Sequence, residues 1–175
     1  PNLRELQKAE NLEELLSSLQ KRNRELGQRP LLVKIAPDLT VGEIEAIADI
    51  AIRHQLAGLI ATNTTVSRDG LLSLNVNDIG AGGLSGRPLR ERSTDVIRTV
   101  YRYTGGELPI IGVGGIFDAQ DAFDKIAAGA SLVQAYTGFV YAGPGFANSI
   151  KRGLAAILSQ RGFKHLDDAV GSDSK

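Results

Sequence analysis

"PIIGVGGIFDAQDAFDKIAAGASLVQAYTG", Pro109 to Gly138, holds two short apolar runs with an amphipathic segment between them. Each run stops abruptly: Val113 meets Gly114 and Gly115, and Val133 is soon followed by Tyr136 and Thr137. Asp118 is placed to cap an intervening helix, Phe123, Ile126 and Ala127 recur at helical spacing to face a sheet, and Gly129 stops it. The stretch therefore reads as strand, helix and strand, the unit from which parallel sheets are built.

The same alternation extends outward. "LLVKIAP" from Leu31 and "AGLIATNTT" from Ala57 supply two more apolar runs, so strands begin near 31, 57, 109 and 131. Thr40 with Glu43 forms a capping box ahead of Ile44, Ile47, Ala48 and Ile52. Ser93 opens another helix, with Ile97, Val100, Tyr101 and Thr104 on one face. Pro144 suits the first turn of the next, which carries Ile150, Leu154, Ile157 and Leu158 and stops near Gly162. Asn11 and Glu14 open a leading helix with Leu12, Leu15, Leu16 and Leu19, ended by Gly27 and Pro30. The first and last strand pairs lie 26 and 22 residues apart, room for one βα unit each, whereas the middle pair lies 52 apart. The surplus follows Thr65, at a strand's carboxyl end, where parallel α/β folds bind their ligands.

Bulk composition narrows the classes. The chain has 175 residues, 42% hydrophobic, enough for one core, and its 20 basic residues equal its 20 acidic ones. That balance argues against a nucleic-acid or anionic-membrane partner. With no cysteine there is no disulfide, thiol nucleophile or thiolate metal site, and His54 and His165 stand far apart as ordinary surface or helix-end residues, so no metal site is expected. No apolar run spans a bilayer and no leader opens the chain. The chain starts at Pro1 and contains no methionine, so it is expected to be a fragment or a processed product.

Chemistry concentrates at the strand ends. Glycine lets backbone N–H groups approach a phosphate, and a following helix adds a favourable dipole. One glycine pair after a strand is usually just a tight turn. Two neighbouring strands ending alike favour a phosphate-bearing ligand, held by Gly114, Gly115, Tyr136 and Thr137. Lys34 interrupts an apolar run, so burial would demand a partner: either Asp38, as a structural pair, or an anionic ligand. Thr62, Asn63 and Thr64 offer uncharged donors and acceptors to the edge of a planar polar ring, or else form a local turn. "GAGGLSG", Gly80 to Gly86, lacks the phosphate-loop pattern and reads as a turn returning Ser85 and Gly86 toward the ligand. Arg87, Arg90 and Arg92 read as a solvated face.

"VKIAPDLT", "IATNTTVSR", "GGLSGRPL", "PIIGVGGI" and "AAGASLVQAYTG", in that order, closely resemble the quinone-linked, membrane-associated class of dihydroorotate dehydrogenases. The resemblance covers essentially the whole chain. It implies an α/β fold, a (β/α)8 TIM barrel, with residues 1–175 supplying the later four βα units and the amino-terminal half absent. It implies FMN as cofactor, with Lys34 beside the flavin near N1 and O2, Thr62, Ser85, Gly86 and Val113 in contact with it, and Gly114, Gly115, Tyr136 and Thr137 on its phosphate. Asn2, Asn63 and Thr64 would bind dihydroorotate or orotate.

The implied reaction removes a proton from substrate C5 through a serine base and passes a hydride from C6 to the flavin, with ubiquinone as final acceptor, in pyrimidine (UMP) biosynthesis. That serine would immediately precede Pro1, so no catalytic base is expected in this chain. Membrane and quinone would be met through the missing amino-terminal segment, and "DDAVGSDSK" at the carboxyl end resembles the mitochondrial inner-membrane branch. Half a barrel exposes two sheet edges and an apolar face, so alone it is expected to aggregate or pair with the other half, and neither to hold flavin nor to turn over. The rival readings are another FMN barrel acting on a pyrimidine-like ring and a non-catalytic phosphate-binding module.

Overall fold

The computed structural model describes residues 5–71, 76 and 80–174. Four strands, β1 (Leu32–Ile35), β2 (Gly58–Ala61), β3 (Ile110–Val113) and β4 (Leu132–Gln134), form one sheet in that order, every neighbour parallel. Each strand starts one residue after the position expected from the sequence. Because every strand pairs with its successor and crossovers keep one hand, the helices gather on one side, as a barrel requires and a doubly wound sheet does not.

Helix α1 (Ala9–Glu25) precedes β1, α2 (Val41–Arg53) joins β1 to β2, and α3 (Arg90–Thr104) ends the long connection to β3. Helix α4 (Ala119–Ala127) joins β3 to β4, and α5 (Thr137–Ala142), α6 (Phe146–Gln160) and α7 (Leu166–Ala169) follow. The Thr40–Glu43 capping box forms as the sequence suggests, and Asp118 caps its helix as expected, in a box with Asp121, each satisfying helix-start N–H groups that otherwise lack partners. His54 ends α2 and His165 precedes α7, both helix-end residues.

The core lies between the sheet and the helices. Ile35, Leu59, Ala61 and Ile110 have no exposure, packed against Ile44, Ile47, Val96, Ile97 and Val100 from α2 and α3, with Leu12 and Leu16 of α1 closing the outer side. Burying each such aliphatic side chain contributes about 1.5–3 kcal/mol. Across the sheet, Lys34, Leu132 and Gln134 are exposed and Leu32, Ile60, Ile111 and Val113 are only partly covered.

Several expectations need correction. Ser93 does not open α3; the helix starts at Arg90 after a 3-10 turn, Arg87–Leu89, and Ser93 is buried inside it. Asn11 does not open α1, which begins at Ala9, and Pro144 precedes the α6 cap, Gly145, instead of lying in the first turn. Phe123, Ile126 and Ala127 reach the sheet only at Val133 of β4 and pack as well with Leu154, Ile157 and Phe163 of α6 and the tail; beneath β3 the α4 residue is Lys125, whose Cβ lies 3.2 Å from where a Gly112 Cβ would sit. The carboxyl end is a strap: the Gly171 and Asp173 N–H groups donate to the carbonyls of Ile126 and Ala127 at 3.0 Å each, and the Ser174 hydroxyl donates to the Ala128 carbonyl.

Candidate active site

The strand ends on one side of the sheet converge on a cleft of about 230 Å³. β2 brings Thr62, whose N–H donates to the Val113 carbonyl at 2.9 Å, while the Asn63 N–H donates to the Ile35 carbonyl at 2.7 Å. The chain leaving β2 is thus pinned to both neighbours, and Thr62, which is buried, Asn63, which is exposed, and Thr64 line the cleft. Asn63 Oδ1 accepts from the N–H of the next residue, Thr64, at 2.9 Å, one residue short of the i to i+2 bond of an Asx turn, so the local turn weighed in the sequence does not form, and the exposed amide nitrogen is left as an outward donor.

The long connection returns to the same place. Thr65 and Leu84 pair through two backbone hydrogen bonds, of 3.1 and 2.7 Å, closing the loop at its base. Arg68 holds the loop from within, donating to the carbonyls of Gly82 and Gly80. Ser85 and Gly86 are thereby delivered to the cleft, where the Ser85 and Thr137 hydroxyls lie 2.9 Å apart and a Cβ on Gly86 would come 3.3 Å from Thr137 Cγ2.

Gly114 and Gly115 carry β3 into the cleft with φ of +130° and +69°, values that L side chains rarely adopt. At Gly115 the chain presses on the start of α3, where a Cβ would lie 2.7 Å from the Arg90 nitrogen. From β4 come exposed Tyr136 and, at the first residue of α5, Thr137. Lys34, Val113, Ile116 and Phe117 complete the lining.

The cleft therefore brings together Lys34, Thr62, Asn63, Thr64, Ser85, Gly86, Val113, Gly114, Gly115, Tyr136 and Thr137. Asn2 lies outside the described residues. One expectation about charge changes. Lys34 is exposed on the uncovered face, not buried, and among the described residues no carboxylate pairs with it, while Asp38 accepts from the Thr65 hydroxyl and from the Val66 N–H at 3.1 Å. The arginines do lie at the solvent surface, with Arg87 and Arg92 exposed and Arg90 partly so, but each also holds a protein partner: Arg87 stacks on Phe117 at 4.6 Å, Arg90 pairs with buried Asp121 at 3.0 Å, and Arg92 donates to the carbonyls of Pro37 and Leu39.

Sequence reasoning passed over Lys125. It is fully buried on α4, donating to the Ser93 hydroxyl at 2.5 Å, the Thr94 hydroxyl at 3.0 Å and the Arg90 carbonyl at 3.2 Å. Burial pushes its ammonium down to about 8 against the opposing pull of Asp121 and Asp124. The available signal was its place one helical turn from Ala122 and Gly129, in a stripe of small residues.

Residues 1–158 match the sequence pattern of the family described as dihydroorotate dehydrogenase. The relative named dihydroorotate dehydrogenase (quinone) from Gloeobacter violaceus is 53% identical over 171 residues, covering 98% of this chain and 47% of its own length. That of Mycobacterium ulcerans is 49% identical over 174 residues, covering 99% and 47%. The crystal structure of the Eimeria tenella enzyme in complex with ferulenol superposes with a TM-score of 0.93 at 40% identity, covering all of this chain and 51% of that one. The chain spans about half the length of the curated relatives it matches. These curated relatives are bacterial, which gives no support to a mitochondrial placement, and among the described residues no helix is long and apolar enough to cross a membrane. With a matching pattern over most of its length and a superposable half-barrel, the chain belongs to the dihydroorotate dehydrogenase family.

Proposed function

We propose that residues 1–175 form the carboxyl-terminal part of one FMN-binding (β/α)8 barrel that oxidises dihydroorotate to orotate with a quinone as acceptor. The observation that carries this reading is the single cleft in which an ammonium, a row of hydroxyls and two glycine-rich or helix-starting strand ends meet. The donor set suits the cofactor. Val113, Ile116 and Phe117 offer apolar contact to a flat ring, whereas Ser85, Thr137 and the backbone at Gly114 and Gly115 offer uncharged donors to a phosphate.

Bound FMN would supply the hydride acceptor. Lys34, on the open face beside Ile60 in the β1–β2 register, would stabilise negative charge developing on that ring system. The outward Asn63 amide and the Thr64 hydroxyl would donate to the substrate's carbonyl or carboxylate oxygens and fix its orientation. No base in this chain is assigned the C5 proton; that role, like contact with quinone and membrane, falls to the amino-terminal half. A mitochondrial address rests on the carboxyl-terminal sequence alone, and that segment is a packing strap.

The test is co-expression with the amino-terminal half of the Gloeobacter violaceus relative. The expected product is a yellow complex that reduces quinone in the presence of dihydroorotate and ignores fumarate and NAD. Flavin uptake without dihydroorotate turnover would favour a barrel acting on another ring; failure to take up flavin would favour an assembly module. A soluble, yellow and active chain on its own would overturn the division of roles.

A further inference from the structure

We propose that the Lys125 ammonium is the positioning residue of the glycine strand end, holding Gly114 and Gly115 in the shape that takes up the phosphate of FMN. This rests on the flavin reading above and adds a residue the cleft does not touch.

The geometry runs in three contacts. Lys125 Nζ donates to Ser93 Oγ at 2.5 Å, and that hydroxyl lies 3.2 Å from both the Gly114 and Arg90 carbonyls, to which it can donate. Lys125 also donates directly to the Arg90 carbonyl at 3.2 Å. Arg90 is the first residue of α3 and the residue against which Gly115 is seated. One buried cation thus ties the carbonyl of one glycine to the helix start that supports the other.

A lysine is a costly choice for this role. Its three acceptors are neutral, and the nearest charged groups are spread around it: Arg90 and Asp95 on α3, Asp121 and Asp124 on α4, with Gly112 of β3 above bringing no titratable side chain. Asp121, the strongest of these, is already engaged by Arg90 and by the N–H groups of Phe117 and Asp118. A methionine would fill the same space without desolvating a charge. The charge is accounted for if an anion sits on the other side of the glycine backbone, where the field of an unscreened ammonium favours it.

Proton loss from Lys125 then weakens phosphate binding. Above pH 7 a phosphate monoester is already dianionic, its second pKa being about 6, so the ligand's own charge is constant over the window that matters. In the co-expressed complex the FMN dissociation constant should rise about tenfold between pH 7 and pH 9.5, and by reciprocity FMN should raise the Lys125 pKa by about one unit. Lys125→Met should bind FMN about tenfold more weakly at pH 7, with that pH dependence gone, while folding at least as well. Ser93→Ala, which leaves the ammonium but cuts its link to Gly114, should weaken FMN in the same direction.

In the flavin-free co-expressed complex, the carbon-13 signal of Lys125 Cε reports its titration directly, and inorganic phosphate should shift that titration upward where sodium chloride of equal ionic strength does not. A complex that binds FMN with one affinity from pH 7 to 9.5, or a Lys125→Met variant that keeps the wild-type slope, overturns this inference and leaves the flavin reading intact. A wild-type complex that binds no FMN at any pH removes both.

Discussion

On the helix-covered face of the sheet Ile35, Leu59 and Ile110 have no exposure, whereas on the opposite face Ile60 and Ile111 are only partly covered and Leu132 is 62% exposed. The residues are alike in kind, since neighbours along β2 and β3 alternate between the faces with period two. What differs is the partner. α1 to α4 finish one side, and nothing among the described residues finishes the other, so the open side keeps an apolar surface and the site that opens onto it. The two lysines make the same point in reverse: Lys34, set among apolar residues in a strand, is exposed, and Lys125, beside Asp124 on an amphipathic helix, is buried.

The largest expected difference comes from adjacent residues of β3. Ile110→Ala should destabilise the chain by about 4 kcal/mol, because it leaves a cavity in a closed core. Ile111→Ala should cost less than about 1 kcal/mol in the chain alone. Urea unfolding of both variants measures this, and equal losses would mean that the open face is already packed. Joined to the amino-terminal half, the Ile111 variant should lose more than it does alone.

The second prediction concerns pH. Burial holds the Lys125 pKa near 8, below the ordinary value of 10.5, so between those limits the unfolded chain binds more protons than the folded one. Stability from this group therefore rises with pH across that window, by on the order of 3 kcal/mol, and charged Lys125 is unfavourable to folding at pH 7. Lys125→Met should remove this rise. Chemical denaturation at pH 7, 8.5 and 10 reads it, and an unchanged rise in the variant would assign it to another group.

Gly115→Ala comes third, at about 2 kcal/mol. A side chain there meets both a positive φ of +69° and the Arg90 backbone, with Arg90 Cα at 2.5 Å. The strain falls on the junction of β3 with the start of α3, so flavin uptake by the complex should suffer more than the melting temperature does. The reverse order would make the glycine a packing residue only.

Much of this was legible from local signals. Strand starts followed from apolar runs, the box at Thr40 from a residue pair three apart and the cap at Asp118 from its place before the helix, because these patterns depend on nearest turns of chain. The cleft residues were legible because glycines, hydroxyls and one lysine sat where strands ended. α5 was missed because Phe139, Val140 and Tyr141 are exposed and draw no apolar stripe. The clamps of Arg90 and Arg92 and the burial of Lys125 were missed for a different reason: their partners lie 31 to 55 residues away, and only the packing of α3 on α4 and on the β1 loop brings them together.

Lys34 gives the smallest effect on stability and the sharpest contrast with Lys125. Exposed on the open face and with no carboxylate paired to it among the described residues, it has little solvation to lose on folding, so Lys34→Met should move the chain's stability by no more than about 0.5 kcal/mol. A stabilisation well above that would mean the ammonium is already desolvated, as its place between Val33 and Ile35 in the sequence suggested. In the joined barrel the open face becomes an interior, and the same ammonium must find a counter-charge there. Lys34→Met should then stabilise the flavin-free barrel, since removing an uncompensated buried charge is favourable, while weakening retention of the flavin. Opposite signs for those two readouts are what a cation kept for an anionic cofactor produces, and matching signs would make Lys34 a structural residue.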